Sequence, residues 1–333
     1  MVATAPNGLR RMGERSALIT GATGQDGRLL TRHLLARGYR VTGTSRHAKP
    51  GDRSVEGIDL RRCGLTSQDE VNDLIAEIRP DEIYNFAAFS TGSGMFDDPV
   101  AMGDVNGQGP VRILEAIRTI APATRFCQAS SSEMFGARSP APQSAETPLD
   151  PRSPYGAAKQ YAHAMIDAFR DRHGIFACSA ILFNHESELR PTSFVTRKIT
   201  RAAARIQAGL DDHVMLGDLD ARRDWGYAGD YVAAAWTMLQ ADRPADYVVA
   251  TGHTHSVRDF ARTAFDIVGL DYQQYVRLDP RFSRPRAGVE LVGDPSALKA
   301  LGWAPSVSFH ELVRRMVEAD VMDLDILTTS RED

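Results

Sequence analysis

Cysteine is scarce in this chain of 333 residues, which contains only Cys63, Cys127 and Cys178. None of them stands in a C-x-x-C pair or beside a cluster of histidines, the spacings that mark redox and zinc sites. This scarcity excludes a disulfide framework and favours reduced thiols, as in a cytoplasmic protein. We accordingly expect a cytoplasmic location and no metal site.

Long apolar runs and an excess of basic residues are also missing. No stretch approaches the ~20 consecutive apolar residues of a membrane-spanning helix. The chain carries 39 Lys and Arg against 43 Asp and Glu, a formal net charge of −4. The first fifteen residues lack the apolar segment of a secretion signal. We therefore expect no membrane partner, no nucleic-acid partner and a flexible tail over residues 1–15.

What the sequence does contain is an alternation of short apolar runs and helical patterns, which begins at residues 16–20. The heptapeptide GATGQDG follows at 21–27, and leucines then recur at helical spacing. Strand, glycine turn and helix in this order are typical of dinucleotide binding, because glycines let the backbone approach a pyrophosphate at the helix N-terminus. The G-x-x-G-x-x-G spacing departs from the common G-x-G-x-x-G. The candidate cofactor residues in this turn are Gly21, Thr23, Gly24, Gln25, Asp26 and Gly27.

A second apolar run at residues 39–45 ends at Arg46, with His47 and Lys49 close behind. At this place in such a fold an acidic residue binds the ribose 2′-hydroxyl of NAD, whereas an arginine favours the 2′-phosphate of NADP. Arg46 therefore predicts NADP as the cofactor. The alternative is a solvated basic strand end without a ligand.

The alternation continues through the next hundred residues. SQDE at 67–70 has the form of a capping box, which predicts the start of an amphipathic helix. Apolar runs at 82–88 and 125–129 predict buried strands, and residues 100–120 predict a long helix between them. Strands that alternate with helices indicate an α/β fold with a doubly wound parallel sheet, whose ligands bind beyond the carboxyl ends of the strands.

A tyrosine and a lysine stand four residues apart in PYGAAK, at positions 155 and 159. On a helix they share one face, where a buried ammonium lowers the pKa of a nearby phenol and lets it move a proton near neutral pH. The spacing alone is common by chance. Ser131 and Glu133 follow the predicted strand at 125–129, so we expect a hydroxyl, a carboxylate and the tyrosine–lysine pair to converge beside a nicotinamide ring.

Together these motifs resemble those of the extended short-chain dehydrogenase/reductase family, and within it the GDP-mannose 4,6-dehydratases. The resemblance extends from residue 17 to about residue 320. It is strongest in GATGQDG, PDEIYN, ASSSEMFG, PRSPYGAAK, ILFNHES, FVTRKI, LDARRDWG and the GDP…LGW stretch. It implies an NADP-binding Rossmann domain formed by residues 16–183 and 224–252, and a smaller C-terminal α/β domain for a nucleotide sugar, formed by 184–223 and 253–325.

The resemblance implies a lyase, an NADP-dependent 4,6-dehydratase of GDP-mannose or a closely related nucleotide sugar. Its implied catalytic residues are Ser131, Glu133, Tyr155 and Lys159. Tyr155, assisted by Lys159, removes the proton of the 4-hydroxyl while hydride passes from C4 to NADP. Glu133 then removes the C5 proton, water leaves from C6, and hydride returns to C6. Ser131 takes the place of the family's threonine and keeps the hydroxyl that hydrogen-bonds the 4-oxygen.

The resemblance also implies binding roles along the chain. Besides the glycine turn and Arg46, the implied cofactor contacts are Leu65, Ala87, Ala88, Ser90, Tyr155, Lys159, His185 and Arg190. The implied substrate contacts are Ser131, Asn184, Val195, Lys198, Arg223 and Arg284. In the family, two helices of each subunit, here those at 100–120 and 155–172, pair in a dimer through a four-helix bundle, and we expect the same homodimer.

Several recognition positions depart from the family pattern. Phe89 replaces a glutamine near the sugar, Gly64 replaces an aspartate at the adenine, and Ala287 replaces a glutamate at the nucleotide ribose. Residues 189–192 keep only one arginine of the usual pair. Because residues 46–57 lack the loop that reaches a neighbouring subunit, a tetramer is not expected. The expected substrate is of GDP-mannose or GDP-heptose type, but the sequence leaves both its exact sugar and its base open.

Two other functions remain open from the sequence. A 4-reductase or epimerase of the same family shares the cofactor site and the tyrosine–lysine pair, and Glu133 is the residue that separates a dehydratase from it. A non-catalytic nucleotide-binding protein needs none of Glu133, Tyr155 and Lys159, which are all present.

Overall fold

The computed structural model describes residues 15–49, 51–54, 56–89, 96–136, 139–280 and 290–329. Ser90, Arg284 and Ala287 lie outside the described residues, as do residues 1–14 of the predicted tail. Within the described ranges no helix is both long and apolar enough to cross a bilayer.

The described residues form twelve strands and eleven α-helices. The strands are β1 (Ser16–Thr20), β2 (Arg40–Thr44), β3 (Asp59–Arg61), β4 (Glu82–Asn85), β5 (Arg125–Ser131), β6 (Ala177–Leu182), β7 (Asn184–Glu186), β8 (Val214–Leu216), β9 (Arg222–Tyr227), β10 (Tyr247–Val249), β11 (Thr254–Ser256) and β12 (Val276–Leu278). The helices are α1 (Gln25–Leu35), α2 (Gln68–Ile78), α3 (Pro99–Gly103), α4 (Gly109–Ile120), α5 (Pro154–His173), α6 (Val195–Gln207), α7 (Ala228–Gln240), α8 (Val257–Ile267), α9 (Tyr272–Tyr275), α10 (Ser296–Lys299) and α11 (Phe309–Thr329).

Seven strands form one parallel sheet in the order β10-β6-β5-β4-β1-β2-β3. Successive side chains of β1 point to opposite faces, so Ala17 and Ile19 join one apolar cluster while Leu18 joins another. Such burial on both faces is typical of a sheet covered by helices on each side. The predicted doubly wound parallel sheet is confirmed. Its strand order reverses between β1 and β4, where a ligand crevice opens at the carboxyl ends.

A separate apolar cluster lies around helices α6, α8 and α11 and includes Trp225 of β9. Beside it, β9 pairs with β7 in parallel and with β11 in antiparallel orientation. This second core agrees with the idea of a smaller unit, but β9 spans Arg222–Tyr227, so the predicted boundary at residue 224 falls inside a strand. The division into two domains stays a prediction.

The predicted helix at 100–120 is present but interrupted. Between α3 and α4 the residues Asp104–Gln108 form a π-helical turn, which joins the two helices without a break. A π-turn inserts one extra residue into the helical repeat and therefore changes which side chains face inward.

The predicted capping box at 67–70 is half present. The Ser67 hydroxyl accepts the Glu70 N–H at 3.3 Å, as expected for an N-cap. The carboxylate of Glu70 instead accepts the N–H of Gly64 at 2.8 Å, because the Ser67 N–H already donates to the Gly64 carbonyl. Gly64 thus lies beside a carboxylate from helix α2.

The three cysteines are buried and free, although Cys127 and Cys178 are cross-strand neighbours in β5 and β6. Burial raises the pKa of Cys178 to about 12 and that of Cys63 to about 11. Their thiols therefore stay protonated and unreactive at neutral pH.

Candidate active site

The chain leaves the carboxyl end of β5 in a short 3-10 turn, Ser132–Met134. Ser131 caps this turn, because its hydroxyl accepts the Glu133 N–H at 3.2 Å. Ser131 itself is buried, while Glu133 is partly exposed. The turn therefore holds a hydroxyl and a carboxylate at the sheet edge where ligands bind in doubly wound folds.

Helix α5 begins beside this turn. The Ser153 hydroxyl accepts the Gly156 N–H at 3.0 Å and Pro154 occupies the first turn, which are both favoured helix-start features. Gly156 permits the close approach, since a Cβ there would lie 2.4 Å from the Glu133 carbonyl oxygen. The glycine after Tyr155 is thus what brings the phenol next to the Ser131 and Glu133 turn.

Ser131 lies near enough to the Tyr155 hydroxyl to influence its pKa. Burial raises the pKa of Tyr155 to about 12, the negative charge of Glu133 also raises it, and Ser131 and Arg190 act in the opposite direction. The prediction of a lowered phenol pKa is therefore wrong for the protein alone, because desolvation outweighs the positive charges. The structure brings Ser131, Glu133 and Tyr155 close together, and their catalytic roles stay a prediction.

Lys159 lies one helical turn after Tyr155 and is almost fully buried. Its ammonium donates to the Ala129 carbonyl at 2.7 Å and lies 5.6 Å from the centre of the Tyr155 ring. Burial lowers the pKa of Lys159 to about 8, while the Asp26 carboxylate raises it. The amine is therefore close to its titration point in the neutral range, where small changes in nearby charge alter its protonation.

The glycine turn between β1 and α1 fits a dinucleotide pyrophosphate. A Cβ on Gly21 would lie 2.7 Å from the Ala87 nitrogen, and one on Gly27 would lie 2.3 Å from the Gly21 carbonyl oxygen. Gly24 caps α1 without a side-chain hydrogen bond, so the amides of the first turn are open to an anion. Thr23 and Gly24 are exposed at this edge, and Ala88 is exposed on the neighbouring strand exit.

A polar network ties the glycine turn to β7. The Gln25 amide donates to the His185 carbonyl at 3.2 Å and accepts from the Ser187 hydroxyl at 2.8 Å. A carboxylate oxygen of Asp26 lies 3.0 Å from Nε2 of His185. The imidazole ring stacks on the Tyr231 ring, with centroids 4.9 Å apart. Three residues of the predicted site, Gln25, Asp26 and His185, are thus brought together from opposite halves of the chain.

Arg190 lies after β7 and is held on two sides. Its guanidinium stacks 3.6 Å from the centre of the Phe194 ring and forms an ion pair with Glu186 at 3.0 Å, without hydrogen-bond geometry. The Thr196 hydroxyl donates to the same carboxylate at 2.7 Å. The positive charge of Arg190 opposes the rise in the pKa of Tyr155 and contributes to the lowered pKa of Asp26, so it reaches the predicted catalytic and cofactor residues.

Arg46 is exposed at the end of β2, as the cofactor prediction requires. Its guanidinium donates to His47 at 3.1 Å and lies 5.9 Å from the Phe89 ring centre. Among the described residues no carboxylate forms an ion pair with it. Leu65 is buried, with its carbonyl accepting from Arg112 at 2.9 Å. Arg46 thus follows β2 and Leu65 follows β3, both on the β2–β3 side of the main sheet.

Asn106 is a residue that the sequence reasoning missed. It lies in the π-helical turn, is buried, and its amide accepts the Phe89 N–H at 2.7 Å and donates to the Phe89 carbonyl at 3.0 Å. The exit of β4 is therefore fixed by one side chain. The sequence did offer one signal for Asn106, a polar residue followed closely by Gly107 and Gly109 within a predicted helix.

Besides Ser131 of β5, four of the predicted substrate residues lie on the smaller sheet and on α6. Asn184 of β7 faces Trp225 of β9 in the strand register, next to Arg223. Val195 and Lys198 occupy the first turn of α6, and Val195 is exposed. The described residues thus place four of the predicted anchors beyond the main sheet, while Arg284 lies outside them.

One cluster in the described part of the chain, formed by His163, Asp167 and Asp246, has the spacing of metal ligands. Arg170 forms ion pairs with both carboxylates, at 2.8 Å to Asp246. A guanidinium already occupies the position that a cation would take, so this cluster is an internal salt bridge between α5 and β10.

Comparison with known proteins gives the family. The family model described as GDP-mannose 4,6 dehydratase matches residues 18–316. The chain belongs to this family. GDP-mannose 4,6 dehydratase 2 of Arabidopsis thaliana is 45% identical over 323 residues, 92% of this chain and 86% of the plant protein. GDP-mannose 4,6 dehydratase of Homo sapiens is 42% identical over 338 residues, 92% of this chain and 91% of the human one.

Among solved structures, UDP-glucose 4-epimerase of Thermus thermophilus in complex with NAD is similar at a TM-score of 0.79 and 27% identity. The match covers 92% of this chain and 98% of that chain. The predicted membership in the GDP-mannose 4,6-dehydratase family is confirmed, and this chain and the epimerase share one architecture.

Proposed function

We propose that this chain is a hydro-lyase that converts GDP-mannose, or a closely related nucleotide sugar, to its 4-keto-6-deoxy form. The observation that carries the proposal is the carboxylate of Glu133 in the same turn as Ser131, beside the Tyr155 phenol. Oxidation at one sugar carbon needs only a base near that hydroxyl, whereas elimination needs a second base for the neighbouring carbon. Family membership supports the same reaction.

In the proposed mechanism Tyr155 removes the proton from the 4-hydroxyl, and Ser131 holds the 4-oxygen by a hydrogen bond. Arg190 and the Lys159 ammonium supply positive charge that favours the phenolate. Glu133 then takes the proton from C5, which the adjacent 4-keto group has acidified, and C6 loses water. A bound nicotinamide dinucleotide supplies the hydride exchange on either side of this elimination.

The test of the reaction is direct. Purified protein with NADP is incubated with GDP-mannose and, separately, with a GDP-heptose, and the product is analysed by mass spectrometry. We expect a loss of the mass of one water with no net consumption of NADP. A product with unchanged mass would instead indicate epimerisation, and absence of turnover on both sugars would contradict the proposed substrate class.

We propose NADP as the cofactor, because the exposed guanidinium of Arg46 is the group that suits a 2′-phosphate. Arg46→Ala should weaken NADP binding by about 10- to 100-fold and leave NAD binding nearly unchanged, since only NADP carries that phosphate. Calorimetric titration of both dinucleotides measures this. Arg53→Ala, which removes another exposed arginine of the same segment, is the control. Equal weakening for both dinucleotides would contradict the role.

We also propose a homodimer through a four-helix bundle of the π-turn-containing helix and α5. On or just before these helices Val100 is 81% exposed, and Phe96 and Tyr161 are also exposed apolar side chains. Exposed apolar groups that adjoin on one face mark an interaction surface. Val100→Glu should shift the mass measured by light scattering toward the monomer. Met322→Glu, at an exposed position of α11, should not, and a monomeric parent protein would contradict the proposal.

A further inference from the structure

The His185 imidazole faces an oxygen at each ring nitrogen. Nδ1 lies 2.7 Å from the Phe183 carbonyl oxygen, and Nε2 lies 3.0 Å from a carboxylate oxygen of Asp26. A neutral imidazole has one N–H donor and one lone pair. In either neutral tautomer that lone pair would point at the lone pairs of an oxygen, which is repulsive. With Asp26 ionised, as its lowered pKa indicates, only a ring with both protons satisfies both contacts.

The surroundings of this ring favour the charged form. The side chains of His185 and Asp26 are only 11% and 21% exposed, so their attraction is weakly screened. The other titratable groups near the pair come from three places in the chain. They are Arg190 after β7, Tyr231 of α7, and Tyr155 and Lys159 of α5. The Tyr231 ring lies nearly parallel to the imidazole at 28°, as in stacking of a cation on an aromatic face.

Electrostatic effects on the pair agree with this geometry. Burial alone lowers the pKa of His185, but the Asp26 carboxylate outweighs burial and raises it above 6.5, with Arg190 opposing. Burial alone raises the pKa of Asp26, and His185 outweighs it so that the pKa falls below 3.8. Each partner thus stabilises the charged form of the other.

We infer that His185 is a buried imidazolium, and that its ion pair with Asp26 is a positioning contact that fastens the glycine turn to β7. Asp26 stands in the first turn of α1, beside the amides that suit a pyrophosphate. An unpaired carboxylate there would repel the anionic cofactor, so the imidazolium also cancels its charge. This second role rests on the proposed function, whereas the charge state does not.

The charge state is tested on the protein without any ligand. In ¹⁵N-histidine-labelled protein at neutral pH, both ring nitrogens of His185 should show the shifts of protonated nitrogens, and the signal is assigned by its absence in His185→Asn. Asp26→Asn should return the ring to a neutral tautomer in the same pH range. A wild-type ring with one bare nitrogen at neutral pH would overturn the inference.

Stability should follow the same pair. The pKa of His185 is raised in the folded state. Its contribution to the free energy of unfolding is therefore complete below pH 6.5 and is lost as pH rises through the folded pKa. The lowered pKa of Asp26 gives a contribution that is complete above pH 3.8 and is lost as pH falls further. The denaturation midpoint should therefore decline more steeply above pH 6.5 in the parent than in Asp26→Asn. Parallel profiles would contradict the pair's contribution.

The positioning role is tested by a double-mutant cycle on NADP binding. His185→Asn should weaken binding at least about tenfold because it leaves Asp26 unpaired, and adding Asp26→Asn should restore part of the loss. His213→Asn is the matched control, since it removes a histidine paired with Asp212 at 2.6 Å on the surface. Additive losses in the cycle would overturn the charge-cancelling role. If the parent protein bound no NADP, the proposed cofactor would fail while the labelled-histidine result stood.

Discussion

Glu133→Gln is expected to lower the rate of 4-keto-6-deoxy product formation by about 10²- to 10⁴-fold, because an amide cannot take a proton from C5. Oxidation at C4 should survive, since Ser131, Tyr155 and Lys159 are untouched. In deuterated water the parent should place deuterium at C5 of the sugar, and the variant should not. Mass spectrometry of product and recovered substrate measures both effects.

The control for this variant is Glu146→Gln, an exposed carboxylate on the following loop that accepts a hydrogen bond from Ser144 at 2.7 Å. It carries the same loss of charge away from the site and should leave the rate unchanged. If Glu133→Gln kept the deuterium exchange at C5, another group would be the base and the interpretation as a dehydratase would lose its main support. If the protein were a 4-reductase, neither variant would lower its rate.

Tyr155→Phe should lower turnover by a similar factor of about 10²- to 10⁴-fold, but at an earlier step. The phenylalanine fills the same volume and loses only the hydroxyl that meets Ser131. Without the Tyr155 hydroxyl neither C4 oxidation nor deuterium exchange at C5 can begin. Tyr155→Phe should therefore lose both C4 oxidation and C5 exchange, whereas Glu133→Gln should lose only C5 exchange. Binding of the nucleotide sugar should stay within about threefold, because a single neutral hydrogen bond contributes ~0.5–1.5 kcal/mol.

The control is Tyr272→Phe, which removes a phenol that interacts with Arg258 in the C-terminal part of the chain. It should change neither C4 oxidation nor deuterium exchange at C5. Surviving exchange at C5 in Tyr155→Phe would mean that the 4-hydroxyl proton leaves by another route, such as Ser131 to water. Unfolding of the variant is checked by circular dichroism, so a loss of activity with an unchanged melting profile can be attributed to the missing hydroxyl.

The main sheet could be predicted because its strands carry continuous apolar runs. β1 was predicted at residues 16–20, where the structure has it, and β5 extends two residues beyond the predicted 125–129. Strands of three residues such as β3 and β7 hold too few side chains to show a pattern. The predicted strand at 82–88 ends at Asn85, and beyond it the Ala87 N–H donates to the Thr20 hydroxyl at 3.2 Å instead of to a strand carbonyl.

The candidate site was predictable where neighbours in sequence carry it and not where tertiary contacts do. The Ser131 and Glu133 turn and the Tyr155–Lys159 helix face are local features. The pKa of Tyr155 depends mainly on burial of its side chain, which the sequence spacing of Tyr155 and Lys159 does not reveal. The predicted direction of its pKa shift was therefore wrong. The contact between Asp26 and His185 joins residues 159 positions apart, and no local pattern indicates it.

The second apolar core, around α6, α8 and α11, has a consequence for the order of folding. It combines Ile199 and Trp225 with Val257 and Val317, while the segment between them returns to the main sheet as α7 and β10. The apolar side of α6 therefore has no complete partner until α11 has been synthesised, more than a hundred residues later. Contacts of such sequence separation form slowly, so this core should close last during synthesis, after the parallel sheet has assembled.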